Sequence, residues 1–298
     1  MTLEEALKRA AYKVWNELEP IPNDSRYHIY EVREEGLTTM SIKELVRANC
    51  PDIEKILMIP PKEEKIKGYD FELAIGSPSK GRFIRLFIQA KTLKGKKINS
   101  KYEEIDFPQA TTLSDFSKSE RSLGMYAFFN HLTENTPTLQ NHYNSMTPFD
   151  KESLGITIAS AYSIRMLRSR IFSDYHFNCG LTMSPKMFTW RYFSHLFYFH
   201  KSTKGHLAVP FHELSYFTVE IAEMINRAFR IIKRRGRANF FFFFLPGIEE
   251  LFEDDDEIIP ILKINVEGLI KEFNYRIEVP KNDTYKPQAL IIINTDNY

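Results

Sequence analysis

Residues 69–91 read YDFELAIGSPSKGRFIRLFIQAK, and this stretch decides the fold class. From Tyr69 to Ile75 the side chains alternate. Tyr69, Phe71, Leu73 and Ile75 fall on one face, Asp70, Glu72 and Ala74 on the other, which is the period of a strand with one polar face. Gly76-Ser77-Pro78-Ser79-Lys80-Gly81 is turn chemistry. Arg82 to Lys91 then forms a second strand, almost continuously apolar in its middle and therefore buried on both faces. Together they predict an antiparallel hairpin. Alternation also places Gln89 and Lys91 on one face of the second strand, so aligned faces bring two oxygen donors and an ammonium together.

Working outward, the spacing of Leu3, Leu7, Ala10, Ala11, Val14, Trp15 and Leu18 predicts an amphipathic helix, with Thr2 and Glu5 as its capping box. Pro20-Ile21-Pro22-Asn23-Asp24 ends it. A second helical stretch is expected from about Arg26 to Gly36, and a third from Ser41, with Glu44 as its box partner, to near Pro51. After the hairpin, Pro108 to Ser119 is expected to be helical and Met125 to Asn130 a short strand. The order is helix, strand, strand, helix, strand.

Asn130 to Glu152 lacks apolar periodicity and is the best candidate boundary, giving a core over 1–130 and a packed extension over 131–298. In the extension, Ile156 to Arg170 and His212 to Ile232 are expected as helices, and strands around Leu262 to Val266, Tyr275 to Val279 and Leu290 to Ile293. Phe188 to His200 is aromatic-rich and has no assignable period. The fold class is therefore α/β, a mixed sheet flanked by helices with a C-terminal α/β extension.

Composition narrows the function classes. With 298 residues, 24 Phe and 15 Tyr, the chain has ample area for a core. Forty basic residues against 39 acidic ones leave no global field to steer it onto nucleic acid or membrane, so anion binding must come from a local patch. The two cysteines, Cys50 and Cys179, suit a reducing compartment and lack zinc spacing. The acidic start Thr2-Leu3-Glu4-Glu5 is unlike a secretory signal, and the longest apolar run, Phe240 to Leu245, is far short of a membrane span. A cytoplasmic protein with no membrane partner is expected.

Asp70 and the Gln89 side-chain carbonyl are oxygen donors suited to a hard cation such as Mg²⁺ or Mn²⁺, and Lys91 can orient a water or offset charge on a phosphate. In these residues the chain resembles the PD-(D/E)xK nuclease superfamily, whose core is helix, strand, strand, helix, strand. The matching positions are Gly68-Tyr69-Asp70 and the triplet Gln89-Ala90-Lys91. More narrowly it resembles an uncharacterised bacterial family with this core. That likeness is carried by Glu35-Gly36-Leu37-Thr38, Glu64, the aromatic strand ending Phe128-Phe129-Asn130, and Ala159-Ser160-Ala161-Tyr162 before Arg165. It covers roughly the first two-thirds of the chain.

The resemblance implies a restriction-endonuclease-like core, metal-dependent hydrolysis of DNA or RNA, and a role in bacterial defence. It further implies Asp70, Gln89 and Glu35 as metal ligands, Lys91 as the catalytic cation, and Glu31 or Glu34 as substitutes for Glu35. Glu64, Glu72 and Gln109 are auxiliary candidates. Gln89 stands where an acid is usual, which removes a charge from the cation site. The alternative is a non-catalytic module that keeps the fold and binds nucleic acid or a protein.

Further signals have plainer readings. Arg227, Arg230, Lys233, Arg234, Arg235 and Arg237 form a basic cluster before five phenylalanines. Arg234, Arg235 and Arg237 are candidate phosphate contacts, yet a basic helix end followed by a buried strand is the stronger explanation of the pattern. The run Glu253 to Glu257 fits a solvated loop. His195, His200, His206 and His212 match no metal spacing, and Cys179 has no neighbour that marks it as a nucleophile.

Overall fold

A computed structural model describes residues 1–19, 32–59, 69–92, 101–105, 107–131, 155–161, 207–210, 219–220, 261–278 and 287–296. In chain order they form α1 (Leu3–Glu17), α2 (Glu34–Ala48), β1 (Ile53–Met58), β2 (Phe71–Ser77), β3 (Arg82–Thr92), β4 (Lys101–Ile105), α3 (Phe107–Ser119) and β5 (Leu123–Phe129). There follow β6 (Ile156–Ser160), β7 (Leu207–Pro210), β8 (Val219–Glu220), β9 (Leu262–Lys263), α4 (Val266–Glu278) and β10 (Ala289–Asn294). The main sheet runs β1-β10-β2-β3-β5-β6-β8, with β9 paired to the start of β3, and β4 pairs β7 separately. The class is α/β with a mixed sheet flanked by helices.

Tyr69, ahead of β2, leaves the face expected for it and stacks on Phe87 at 4.5 Å with its hydroxyl on Glu72. From Phe71 on the alternation holds, β2 and β3 being antiparallel with Leu73 opposite Leu86 and Ile75 opposite Ile84. These side chains, with Ile88, Ile291 and Ile293, meet Leu7, Ala10 and Val14 of α1 and Leu37 and Ile42 of α2. Full burial of each large side chain contributes about 1.5–3 kcal/mol. On the opposite face α4 sets Leu269 and Phe273 against Ala74, Phe83 and Ile292. Beside it α3 lies over β5 so closely that a Cβ on Gly124 would stand 2.9 Å from Ser117 Oγ and 3.0 Å from the Leu113 carbonyl oxygen. The result is three layers, with the functional candidates on the α3/α4 face.

The first helix begins as expected: Thr2 Oγ1 accepts the Glu5 N–H at 3.2 Å and Glu5 Oε2 accepts the Thr2 N–H at 2.8 Å. Four other expectations are corrected. The break between Gly36 and Ser41 does not exist. One helix runs from Glu34 to Ala48, and Ser41 bonds back to the Thr38 carbonyl at 2.8 Å instead of capping. Glu44 is buried and pairs with Arg47 and, across to α1, with Arg9. Ile156 to Ser160 is a strand, not the start of a helix, because pairing with β5 buries Ile156 and Ile158. Val219–Glu220 is likewise a strand, paired to β6. Tyr275 to Glu278 is the end of α4, whose apolar face at Leu269 and Phe273 has helical spacing.

The sheet also reaches beyond residues 1–130. The strand expected near Leu290 is an internal one, parallel to β2 and antiparallel to β1, a strand that periodicity did not signal.

Candidate functional site

Strand β3 outruns its partner. The last hydrogen bond of the β2–β3 register carries Asp70 N–H to the Ile88 carbonyl at 2.7 Å, and the Asp70 carbonyl accepts Gln288 N–H at 2.7 Å. The Asp70 backbone is thus held between β3 and the lead-in to β10. Beyond it, Ala90 and Thr92 turn their N–H groups to the same side as Ile88, where no strand among the described residues remains to accept them. Carboxylates take that place. Asp70 Oδ2 accepts Ala90 N–H at 2.5 Å, and Glu34 Oε1 accepts Thr92 N–H at 2.8 Å.

Gln89 shares the face of Asp70, as the register requires. Its Nε2 donates to Asp70 Oδ2 at 2.7 Å and lies 3.3 Å from the Ala90 carbonyl oxygen, while its Oε1 accepts Nε2 of Gln109 at 3.1 Å. Gln109 comes from the first turn of α3. Lys91 Nζ lies 3.9 Å from Glu34 Oε2, and both Gln89 and Lys91 are buried. Asp70 Oδ1 accepts no hydrogen bond from the described residues. Turning both amides over keeps a Gln89–Gln109 bond with Gln89 as donor, but sets the Gln89 oxygen against Asp70 Oδ2 and the Ala90 carbonyl, an arrangement that requires a proton or a cation between them.

Among the described residues the site carries more negative than positive charge. Burial pushes the Asp70 carboxyl up to about 7; the Glu34 and Glu35 charges add to the rise, while the Ala90 N–H and Lys91 oppose it. Such displacement toward neutrality marks functional carboxyls more often than structural ones. The group can hold or release a proton near neutral pH and can face a cation or a phosphate.

Asp70, Gln89, Lys91 and Gln109 therefore stand together. Of the helix acids, Glu34 makes the contacts, while Glu35 is exposed and reaches Asp70 only through its charge. Both open α2, where acidic residues suit the helix dipole. Glu72 is on the same face but engaged elsewhere. It is fully buried and accepts Tyr69 Oη at 2.7 Å and Arg276 Nε and Nη2 at 2.9 and 2.7 Å. Among the described residues no three His, Cys, Asp or Glu side chains gather as a metal cage. Glu31, Glu64, Arg165, Cys179, the basic cluster with Arg234, Arg235 and Arg237, and the four C-terminal histidines lie outside the described residues. Burial keeps the Cys50 thiol above its ordinary pKa, hence protonated.

One structural group escaped the sequence reading. Arg85 and Arg276 form a network between β2, β3 and α4, buried at Arg85 and Glu72 and open to solvent at Glu120 and Glu272. Its one signal is an arginine in the middle of an apolar strand.

The chain belongs to a family of unknown function (DUF6615), which matches residues 3–257. No curated protein matches it, and neither does any solved structure. Among the described residues no helix is long and apolar enough to cross a membrane.

Proposed function

We propose that the chain is a metal-dependent phosphodiesterase acting on nucleic acid, of the PD-(D/E)xK kind, with its reaction centred on Asp70, Gln89 and Lys91. The observation that carries this reading is the meeting of Asp70 and Gln89 at the open end of β3, with Lys91 one residue pair further on the same face. Asp70 Oδ1 is unengaged by described residues, and among those residues Asp70, Glu34 and Glu35 outnumber the ammonium of Lys91. That donor set fits a divalent cation, held by Asp70, the Gln89 amide oxygen and the Ala90 carbonyl, with Glu34 or Glu35 behind them. A cation there supplies a water of lowered pKa and offsets charge on the scissile phosphate.

The protein's own groups do the remainder. Asp70 holds its carboxylate fixed through the Ala90 N–H. Glu34 keeps Lys91 at the rim of the site, from which the ammonium neutralises a phosphate oxygen as charge grows on it. Gln109 fixes the Gln89 amide.

One observation favours a second reading. Gln89 turns its Nε2 donor, not its amide oxygen, toward Asp70, an arrangement suited to a module that binds nucleic acid or a protein without cutting. Purified protein incubated with labelled DNA and RNA in Mg²⁺, Mn²⁺ or EDTA separates the two. Cleavage that EDTA abolishes supports the phosphodiesterase. Intact substrate under every condition overturns it.

A further inference from the structure

At the far end of α3 from Gln109 the sheet face opens into a second cleft, of about 980 Å³, between the α3 C-terminus, β9 and α4. Its floor is the Arg85–Arg276 network. Arg85 donates to Ser122 Oγ at 2.7 Å and to the Glu120 carbonyl at 2.6 Å, and is paired with Glu272. Arg276 Nη1 lies 3.6 Å from both Glu120 and Glu272. Two guanidiniums here face three carboxylates, Glu72, Glu120 and Glu272, so the floor itself offers no spare positive charge. The rim does. Arg121, Lys263 and Lys271 line the cleft, are exposed, and have no carboxylate partner among the described residues.

Three features distinguish this rim from a solvated charge run. The cations come from three separate elements: the turn after α3, β9 and α4. Strand β9 is pinned by Ile264 N–H to the Gly81 carbonyl at 2.9 Å and by pairing with Arg82 and Phe83, so Lys263 is held in place through its backbone. Arg121 closes α3 with φ of 50°, a left-handed conformation that glycine takes more readily, so the chain carries an arginine where backbone preference favours glycine. Beside them Tyr275, one turn from Lys271 on α4, is 52% exposed and presents an aromatic ring to the same cleft. Cations around a cleft, with an aromatic ring at its edge, are what a phosphate joined to a nucleobase requires.

We propose that this cleft binds the phosphates of a nucleotide through Arg121, Lys263 and Lys271, with the base against Tyr275. The inference does not depend on the reaction at Asp70. Fluorescence anisotropy of the full chain in EDTA, with a labelled ATP analogue and with a labelled oligothymidylate, tests it and tells a free nucleotide from a phosphodiester chain. Binding of either probe, weakened at least about tenfold in Arg121→Gly/Lys263→Ala/Lys271→Ala, is the expected result. For the oligothymidylate, three lost phosphate contacts lower the log–log salt slope by about two. Arg121→Gly alone should weaken binding while keeping or raising the thermal midpoint, and Lys271→Glu, on the exposed side of α4, should weaken it further than Lys271→Ala. Failure of the wild type to bind both probes overturns the proposal, as does unchanged affinity in the folded triple variant.

Discussion

Gln89 donates its side-chain N–H to Oδ2 of Asp70 at 2.7 Å, the same oxygen that accepts the backbone N–H of Ala90. One carboxylate oxygen thus closes the strand end, and the other accepts no hydrogen bond from the described residues. On the proposed reaction, Asp70→Ala should abolish both Mg²⁺ binding and cleavage. Lys91→Ala should spare cation binding and lower cleavage by two orders of magnitude or more, roughly the scale of a lost charge stabiliser. Gln89→Glu restores a negative charge and should tighten the cation with activity kept or raised. Calorimetric titration beside a cleavage assay checks all three, and wild-type cleavage in both alanine variants would refute the assignment.

The position of Asp70 predicts a pH signature in the cation-free protein. Its carboxyl titrates near 7 in the folded chain and at about 3.9 when unfolded. Between those values the folded state holds the extra proton, so this group's contribution to stability is greatest at low pH. It falls as pH rises toward 7 and is flat above. Asp70→Asn removes that slope. The variant should gain on wild type from pH 4 to pH 7 by on the order of 2 kcal/mol, less than the full shift because water reaches part of the carboxyl. Urea denaturation across this range in EDTA measures it, and parallel curves would contradict it.

Glu34 and Glu35 are adjacent in sequence and differ in task. Glu34→Ala leaves the Thr92 N–H without its acceptor and Lys91 without its partner. A loss of about 1–2 kcal/mol in stability is expected, together with a lower cleavage rate. Glu35→Ala, at an exposed position, should move stability by less than about 0.5 kcal/mol. Equal effects from the two variants would argue against the placement of α2.

Arg276 holds a fully buried Glu72 by two hydrogen bonds. Arg276→Met should cost about 3–5 kcal/mol by stranding that carboxylate, while Glu72→Gln/Arg276→Met should recover much of the loss, since neither charge then remains. Thermal or chemical unfolding of the two variants decides the matter.

Much of this architecture was legible in the residues. The hairpin, α1 with its cap, α3, β5 and the strand at Leu290 were all expected: β3, β5 and β10 are buried on both faces and showed as apolar runs, whereas α1 and β2 showed through periodicity. Asp70 and Gln89 were legible as neighbours for the same reason: a period of two leaves polar residues no choice of side. Errors fell where local pattern and tertiary demand diverged. Ile156 to Ser160 carries too few residues to show a period, and pairing with β5 decided it. Tyr275 and Ile277 alternate as a strand would, but Leu269 and Phe273 commit the whole segment to a helix.

By itself, then, the sequence determined the α/β class and the common face of Asp70, Glu72, Gln89 and Lys91, since these are local consequences of side-chain alternation. Only the tertiary structure decided which charges act together. Whether Glu34 or Glu35 meets β3 depends on the angle at which α2 starts. Whether Glu72 joins Asp70 or is sealed by Arg276 depends on where α4 packs, a contact across 204 residues. Spacing along the chain encodes faces, and packing between distant elements assigns each charge its partner.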